Sequence, residues 1–181
     1  MAKFYPTLTP ALQSFIAAQH VFFVATAPHQ GRVNLSPKGV DTFRCLGDRA
    51  FAYLDLTGSG NETAAHVNEN GRLTVMFCSF GSEPTILRLY GRARVVRPAD
   101  SDWESLAAPF PVLPGTRQIV RADLLEAQTS CGYGVPHYEW VGPRTRWQEW
   151  AEQKGAAGLA AYRQQKNQQS IDGLPAYPHD L

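Results

Sequence analysis

The chain has 181 residues, 44% of them apolar and 18% charged, with a formal net charge of +1. That is the composition of one globular domain able to bury roughly 70% of its unfolded surface, and it excludes a disordered chain. A near-neutral balance argues against nucleic acid as a partner, and no apolar run approaches the roughly 20 residues that cross a bilayer, which argues against a membrane one.

Thr9-Pro10 pairs a cap residue with proline at the first helical position, and Leu12, Phe15 and Ile16 recur at helical spacing. A short helix is therefore predicted to about Gln19. Residues 21–26 are apolar and β-rich, and read as a buried strand. After the turn-forming Pro28-His29-Gln30-Gly31, strict alternation over Arg32–Ser36 predicts a hairpin partner. In that strand Arg32, Asn34 and Ser36 share one face, with Lys38 just beyond, and Val33 and Leu35 are expected to enter the core. Alone, the polar face reads equally well as a solvated one.

A second hairpin is expected to pair Phe43–Leu46 with Ala50–Asp55 across Gly47-Asp48. Thr57-Gly58-Ser59-Gly60 is a glycine-rich turn before a short helix over Asn61–Asn68, where Ser59 and Glu62 have the spacing of a capping box. Such a turn suits an anion, because a helix start presents unpaired N–H groups and glycine allows close approach. It matches neither a Walker A loop nor a G-x-G-x-x-G fingerprint.

Gly71 ends that helix, and strands follow over Arg72–Ser79 and Thr85–Arg97. The second of these carries Leu87, Leu89, Gly91, Ala93 and Val95 on one face and Ile86, Arg88, Tyr90, Arg92 and Arg94 on the other. An arginine- and tyrosine-rich face is either solvated or buried against a partner. Asp100–Ala107 reads as a helix, the prolines at 109, 111 and 114 as a rigid loop, and Gln118–Ala127 as the last strand. From Arg146 the composition is helical, with Trp147, Trp150, Leu159 and Tyr162 set to pack back on the strands, which by number and spacing suggest a small barrel or sandwich. Gly173–Leu181 reads as a loose tail.

The histidines His20, His29, His66, His137 and His179 have no metal-ligand spacing. The three cysteines, Cys45, Cys78 and Cys131, are widely spaced and odd in number, as reduced cytoplasmic thiols would be. With no signal-peptide pattern at the start, the expected location is the cytoplasm. Alone, Cys131 reads as a small buried thiol.

Taken as an ordered set, Phe23-Val24-Ala25-Thr26, Gly31-Arg32-Val33-Asn34-Leu35-Ser36-Pro37-Lys38-Gly39, Tyr53 through Thr63, and Leu87-Arg88-Leu89-Tyr90-Gly91-Arg92 resemble the pyridoxamine 5′-phosphate oxidase-related family. Ser130-Cys131-Gly132-Tyr133-Gly134-Val135-Pro136 resembles a segment of one of its subgroups. The resemblance implies a mainly β fold, a six-stranded split β-barrel with peripheral helices. It would span residues 1–145, with residues 146–181 as a helical extension on the same domain. It also implies FMN bound in a cleft between the two subunits of a homodimer, and a small-molecule electron donor or acceptor.

Transferred residue by residue, the resemblance places ring and phosphate contacts on Asn34, Ser36 and Lys38 and a phosphate clamp on Ser59, Gly60 and Asn61. The family's flavin-facing glutamine aligns with Ile86 here, so Arg88 and Tyr90, on the same face, are expected to substitute at the ring edge, and Cys131 and Tyr133 to lie in a loop over the ring. Two further departures stand out. The oxidases carry an Arg-Lys pair where this chain has Gly60-Asn61, and the substrate-holding Arg-Leu-His-Asp-Arg-type segment has only a faint echo in Glu139–Arg146. An FMN-dependent oxidoreductase that does not act on pyridoxamine phosphate is therefore expected. The alternatives are a flavin-binding or sensing protein without turnover, and a split barrel holding the deazaflavin F420 or haem.

Overall fold

The computed structural model describes residues 2–177. Its elements are β1 (Lys3–Tyr5), α1 (Pro10–Ala17), β2 (Phe22–Thr26), β3 (Asn34–Lys38), β4 (Phe43–Cys45), β5 (Ala50–Leu56), α2 (Glu62–Asn70), β6 (Arg72–Cys78), β7 (Thr85–Val96), α3 (Trp103–Ala107), β8 (Thr116–Cys131) and α4 (Arg146–Lys166). All strand pairs are antiparallel, in the order β3-β2-β6-β7-β8-β5-β4, with the short β1 added against β8. Six longer strands make the curled half-barrel, and β1 and β4 contribute three residues each. This is the mainly β split-barrel architecture. Among the described residues no helix is long and apolar enough to cross a membrane.

Local chemistry accounts for most boundaries. The Thr9 hydroxyl accepts the Leu12 N–H at 3.4 Å and Pro10 occupies the first turn of α1. Gly71, at φ 70°, closes α2 in the left-handed conformation and is followed directly by β6. The inner face of β7, from Leu87 to Val95, enters a core built with Val24, Phe51, Tyr53, Val75, Phe77 and Val120. At Gly91 the β7–β8 register slips, leaving Leu125 of β8 bulged outward and 65% exposed. A Cβ at Gly91 would lie 3.0 Å from the Phe51 ring and 3.1 Å from the Ala122 methyl, so glycine is required for the close approach.

The structure corrects four expectations. The alternation of β3 is present with its sense reversed, since Val33 and Leu35 are 73% and 66% exposed and Asn34, Ser36 and Lys38 turn inward. The cause is a polar barrel end. The Asn34 amide donates to the hydroxyls of Thr26 and Thr63 at 3.0 and 3.2 Å, and Lys38 faces Asp55 at 3.7 Å. Next, β8 runs to Cys131, so Ser130 and Cys131 end a strand paired with Ile86 and Thr85 and are not part of a loop.

The last two concern exposure and the C-terminal segment. Cys131 is exposed, not a buried thiol. Residues 173–177 are packed, with Ala176 fully buried and its N–H donated to Gln168 O at 2.9 Å, while the expected tail beyond 177 lies outside the described residues. The long C-terminal helix α4 breaks at Gly155, at φ 62° and ψ 177°, and buries Ala151 and Leu159. Trp147 Nε1 donates to Thr57 O at 3.2 Å.

Candidate functional site

The turn between β5 and α2 is held from beneath by a buried polar network. Asp55 and Gln118 sit opposite each other across β5 and β8, and Gln118 Nε2 donates to Asp55 Oδ2 at 2.7 Å and to Asn61 Oδ1 at 2.8 Å. Arg117 Nε donates to Asp55 Oδ2 at 3.0 Å, while its Nη1 donates to Gly60 O at 2.8 Å and to Asn167 Oδ1 at 2.9 Å. Burial alone would raise the Asp55 pKa. The Arg117 and Lys38 cations and the donated hydrogen bonds outweigh that and hold the carboxyl below its ordinary range. Asp55 is therefore an ionised, fully paired anchor for the turn.

Above this network lies a cleft of about 590 Å³ bordered by β3, the turn and the segment after α4. Asn34, Ser59 and Gly60 line it together with Arg32, Glu62 and Lys166. Ser59 is exposed, and α2 starts at Asn61 without a side-chain cap, because the Asn61 amide is turned inward to Gln118 and to Asn167 O. The expected capping box is therefore not formed. Glu62 instead accepts the Ile171 N–H with both carboxylate oxygens, at 3.0 and 3.2 Å. The start of α2, beside the cleft-lining Ser59 and Gly60, therefore has N–H groups without a side-chain cap at the positive end of the helix dipole.

Three of the predicted residues, Asn34, Ser59 and Gly60, thus come together in one cleft. Asn61 lies behind them with its side chain in the interior, so only its backbone borders the turn. Ser36 and Lys38 continue the inward face of β3, with Lys38 engaged by Asp55. Arg88 and Tyr90 sit on the outer face of β7, bonded to Ser130 Oγ at 3.1 Å and Gln128 Oε1 at 2.7 Å. Cys131 is exposed beside them and Tyr133 is 84% exposed. This second group does not line the cleft.

Sequence reasoning missed Arg117, Gln118, Asn167 and Lys166 as parts of this region. The adjacent polar residues Arg117 and Gln118, which break the alternation at the start of the strand before Ile119-Val120, were the available signal. A second cleft, of about 520 Å³, lies between α1, the β3–β4 turn and Trp140, which stacks on His20 with centroids 4.0 Å apart. Among the described residues no cluster of histidine, cysteine or carboxylate side chains could hold a metal ion.

Comparison with known proteins places this geometry in a family. The profile described as pyridoxamine 5′-phosphate oxidase matches residues 8–131. The pyridoxamine 5′-phosphate oxidase family protein ustO of Aspergillus flavus is 37% identical over 195 residues, covering 97% of this chain and 78% of that protein. Among solved structures, a HupZ variant of Group A Streptococcus aligns with a TM-score of 0.55 at 19% identity, over 68% of this chain and 99% of that one. A putative pyridoxamine 5′-phosphate oxidase of Lactobacillus delbrueckii also gives 0.55, at 18% identity over 68% and 94% of the two chains. An FAD binding protein of Mycobacterium smegmatis gives 0.51, at 15% identity over 70% and 97%. These structural likenesses speak for the fold. With the profile covering more than half of its length and the fungal relative matching nearly all of it, the chain belongs to the pyridoxamine 5′-phosphate oxidase-related family.

Proposed function

We propose that the protein is an FMN-binding flavoprotein, an oxidoreductase that holds the flavin between the two subunits of a homodimer. The observation that carries this reading is the cleft uniting Asn34, Ser59, Gly60 and Lys166 at the uncapped start of α2. Its donor set fits a phosphate monoester: backbone N–H groups of the turn, the Ser59 hydroxyl and the Lys166 cation. When bound, the flavin supplies hydride and electron transfer, and the protein supplies orientation, electrostatics and exclusion of water.

In this reading the turn and the β3 face hold the phosphate end, and the Asp55–Arg117–Gln118 network keeps the turn from deforming. Arg88 and Tyr90, remote from the cleft of their own subunit, reach the ring edge of the flavin held mainly by the partner subunit. The exposed apolar side chains Val33, Leu35 and Leu125 support such a pairing, since Val33 and Leu125 border Tyr90 in one surface groove. Pyridoxamine phosphate is not the proposed substrate, because residues 139–145, where the oxidases hold it, form an exposed irregular segment here.

The test is direct. The purified protein, reconstituted with FMN if necessary, should absorb near ~450 nm as flavins do and be bleached by dithionite. Mass spectrometry of the released ligand should return FMN. Oxidation of NADH or NADPH above the rate of free flavin marks an enzyme. A colourless protein that FMN cannot reconstitute removes the proposal.

A further inference from the structure

Two cations line the cleft, Arg32 and Lys166, and the first is already matched. Arg32 is paired with Asp172, whose carboxylate also accepts the Arg32 N–H at 2.7 Å. Lys38 points away from the cleft to Asp55. Lys166 also lines the cleft, is exposed, and among the described residues makes no ion pair. It stands across from Ser59 and Gly60, on the turn where the resembling oxidases carry their own basic pair and this chain has Gly60-Asn61.

Its position is fixed by the neighbouring residue. Asn167 caps α4 through its N–H to Arg163 O at 2.9 Å and is fully buried. Its side-chain amide donates to Gly58 O at 3.0 Å, its Oδ1 accepts from Arg117, and its carbonyl accepts from Asn61 Nδ2 at 3.2 Å. One turn earlier, Arg163 donates to Thr57 Oγ1 at 2.8 Å and Thr116 O at 3.0 Å. The end of α4 is thereby bonded to both sides of the glycine turn, and the backbone that carries Lys166 is held at the border of the cleft.

From this we infer that Lys166 is the phosphate-recognising cation of the protein, supplied by the C-terminal helix in place of a basic pair on the turn. The inference rests on the flavin-nucleotide reading and adds to it. It makes the C-terminal extension part of the binding site, and it sets a preference for a phosphorylated flavin over riboflavin, whose ring is the same and whose phosphate is absent.

The experiment uses the full chain stripped of flavin and titrated with FMN, FAD and riboflavin by fluorescence quenching. The wild type should bind FMN more tightly than riboflavin. Lys166→Ala should weaken FMN about tenfold, the loss of one charge-assisted contact, and leave riboflavin unchanged. Lys166→Arg should restore most of the FMN affinity, and Lys166→Glu should abolish the preference for FMN. Equal weakening of FAD and FMN would assign the cation to a pyrophosphate as well as a monoester. A wild type that prefers FMN while Lys166→Ala retains the full preference overturns the role of Lys166 and leaves the flavin reading intact. A wild type that binds FMN no better than riboflavin overturns the phosphate site itself.

Discussion

Replacing Arg117 with methionine isolates the interaction that holds the binding turn in place. The side chain is 5% exposed and Asp55 is 1% exposed, so the substitution leaves a buried carboxylate with Lys38, at 3.7 Å, as its remaining cation. It also removes a donor from Gly60 O and from Asn167 Oδ1. Breaking a buried ion pair from one side costs about 3–5 kcal/mol, which in a chain of this length corresponds to a melting point lower by about 6–20 °C.

The loss should depend on pH in a defined direction. In the wild type the folded carboxyl binds its proton less tightly than the unfolded one. Its contribution is complete above the ordinary aspartate pKa, about 3.9, and is lost as pH falls through the lower folded value. Without Arg117, burial dominates and the folded carboxyl binds its proton more tightly than the unfolded one. The variant therefore recovers stability as pH falls from 7 towards about 4.5, narrowing its deficit while the wild type is still unaffected. Urea titrations at both pH values, with m-values checked for constancy, measure this. Combining Arg117→Met with Asp55→Asn should cost less than Arg117→Met alone. A deficit below about 1 kcal/mol at pH 7, or one that does not change with pH, refutes the argument.

Three further outcomes are expected. In native protein at neutral pH, a thiol reagent should modify Cys131 first, because it is exposed. Burial pushes the Cys45 thiol up to about 11 and raises Cys78 against the nearby Arg88 guanidinium; rapid modification of all three in a peptide-mapped time course would contradict this. Gly91→Ala should destabilise by about 1–3 kcal/mol, since the new methyl meets Phe51, Ala122 and the Asp123 carbonyl, and a melting point within a degree of wild type would show that the strand crossing relaxes freely. Leu35→Glu should convert the proposed dimer to a monomer by light scattering and weaken FMN binding with it. A variant that stays dimeric places the interface elsewhere.

Much of the fold was legible because its signals are local. A cap followed by proline starts α1, Gly47-Asp48 turns one hairpin, Gly71 ends α2, and the alternation from Ile86 to Val95 gives β7 its two faces. The candidate turn was visible for the same reason. What escaped depends on long-range partners. The periodicity of β3 was correct, but alternation alone cannot say which face is inward, and here Asp55 and Thr63 draw the polar face in. The Asp55–Gln118 pairing needs a register between strands some 60 residues apart. Nothing in the sequence near Lys166 indicates that Asn167 will be bonded to Gly58.

That last bond has a consequence for how the chain is made. Residues 58 and 167 are 109 positions apart, so the Gly58 carbonyl stays hydrated until the chain has been made as far as Asn167. A ribosome-bound intermediate can assemble the sheet from residues already released, yet the ligand cradle stays incomplete in it. Completion of the cleft would then follow barrel closure and not accompany it, and a fragment cut anywhere before Asn167 would carry the barrel without its finished pocket.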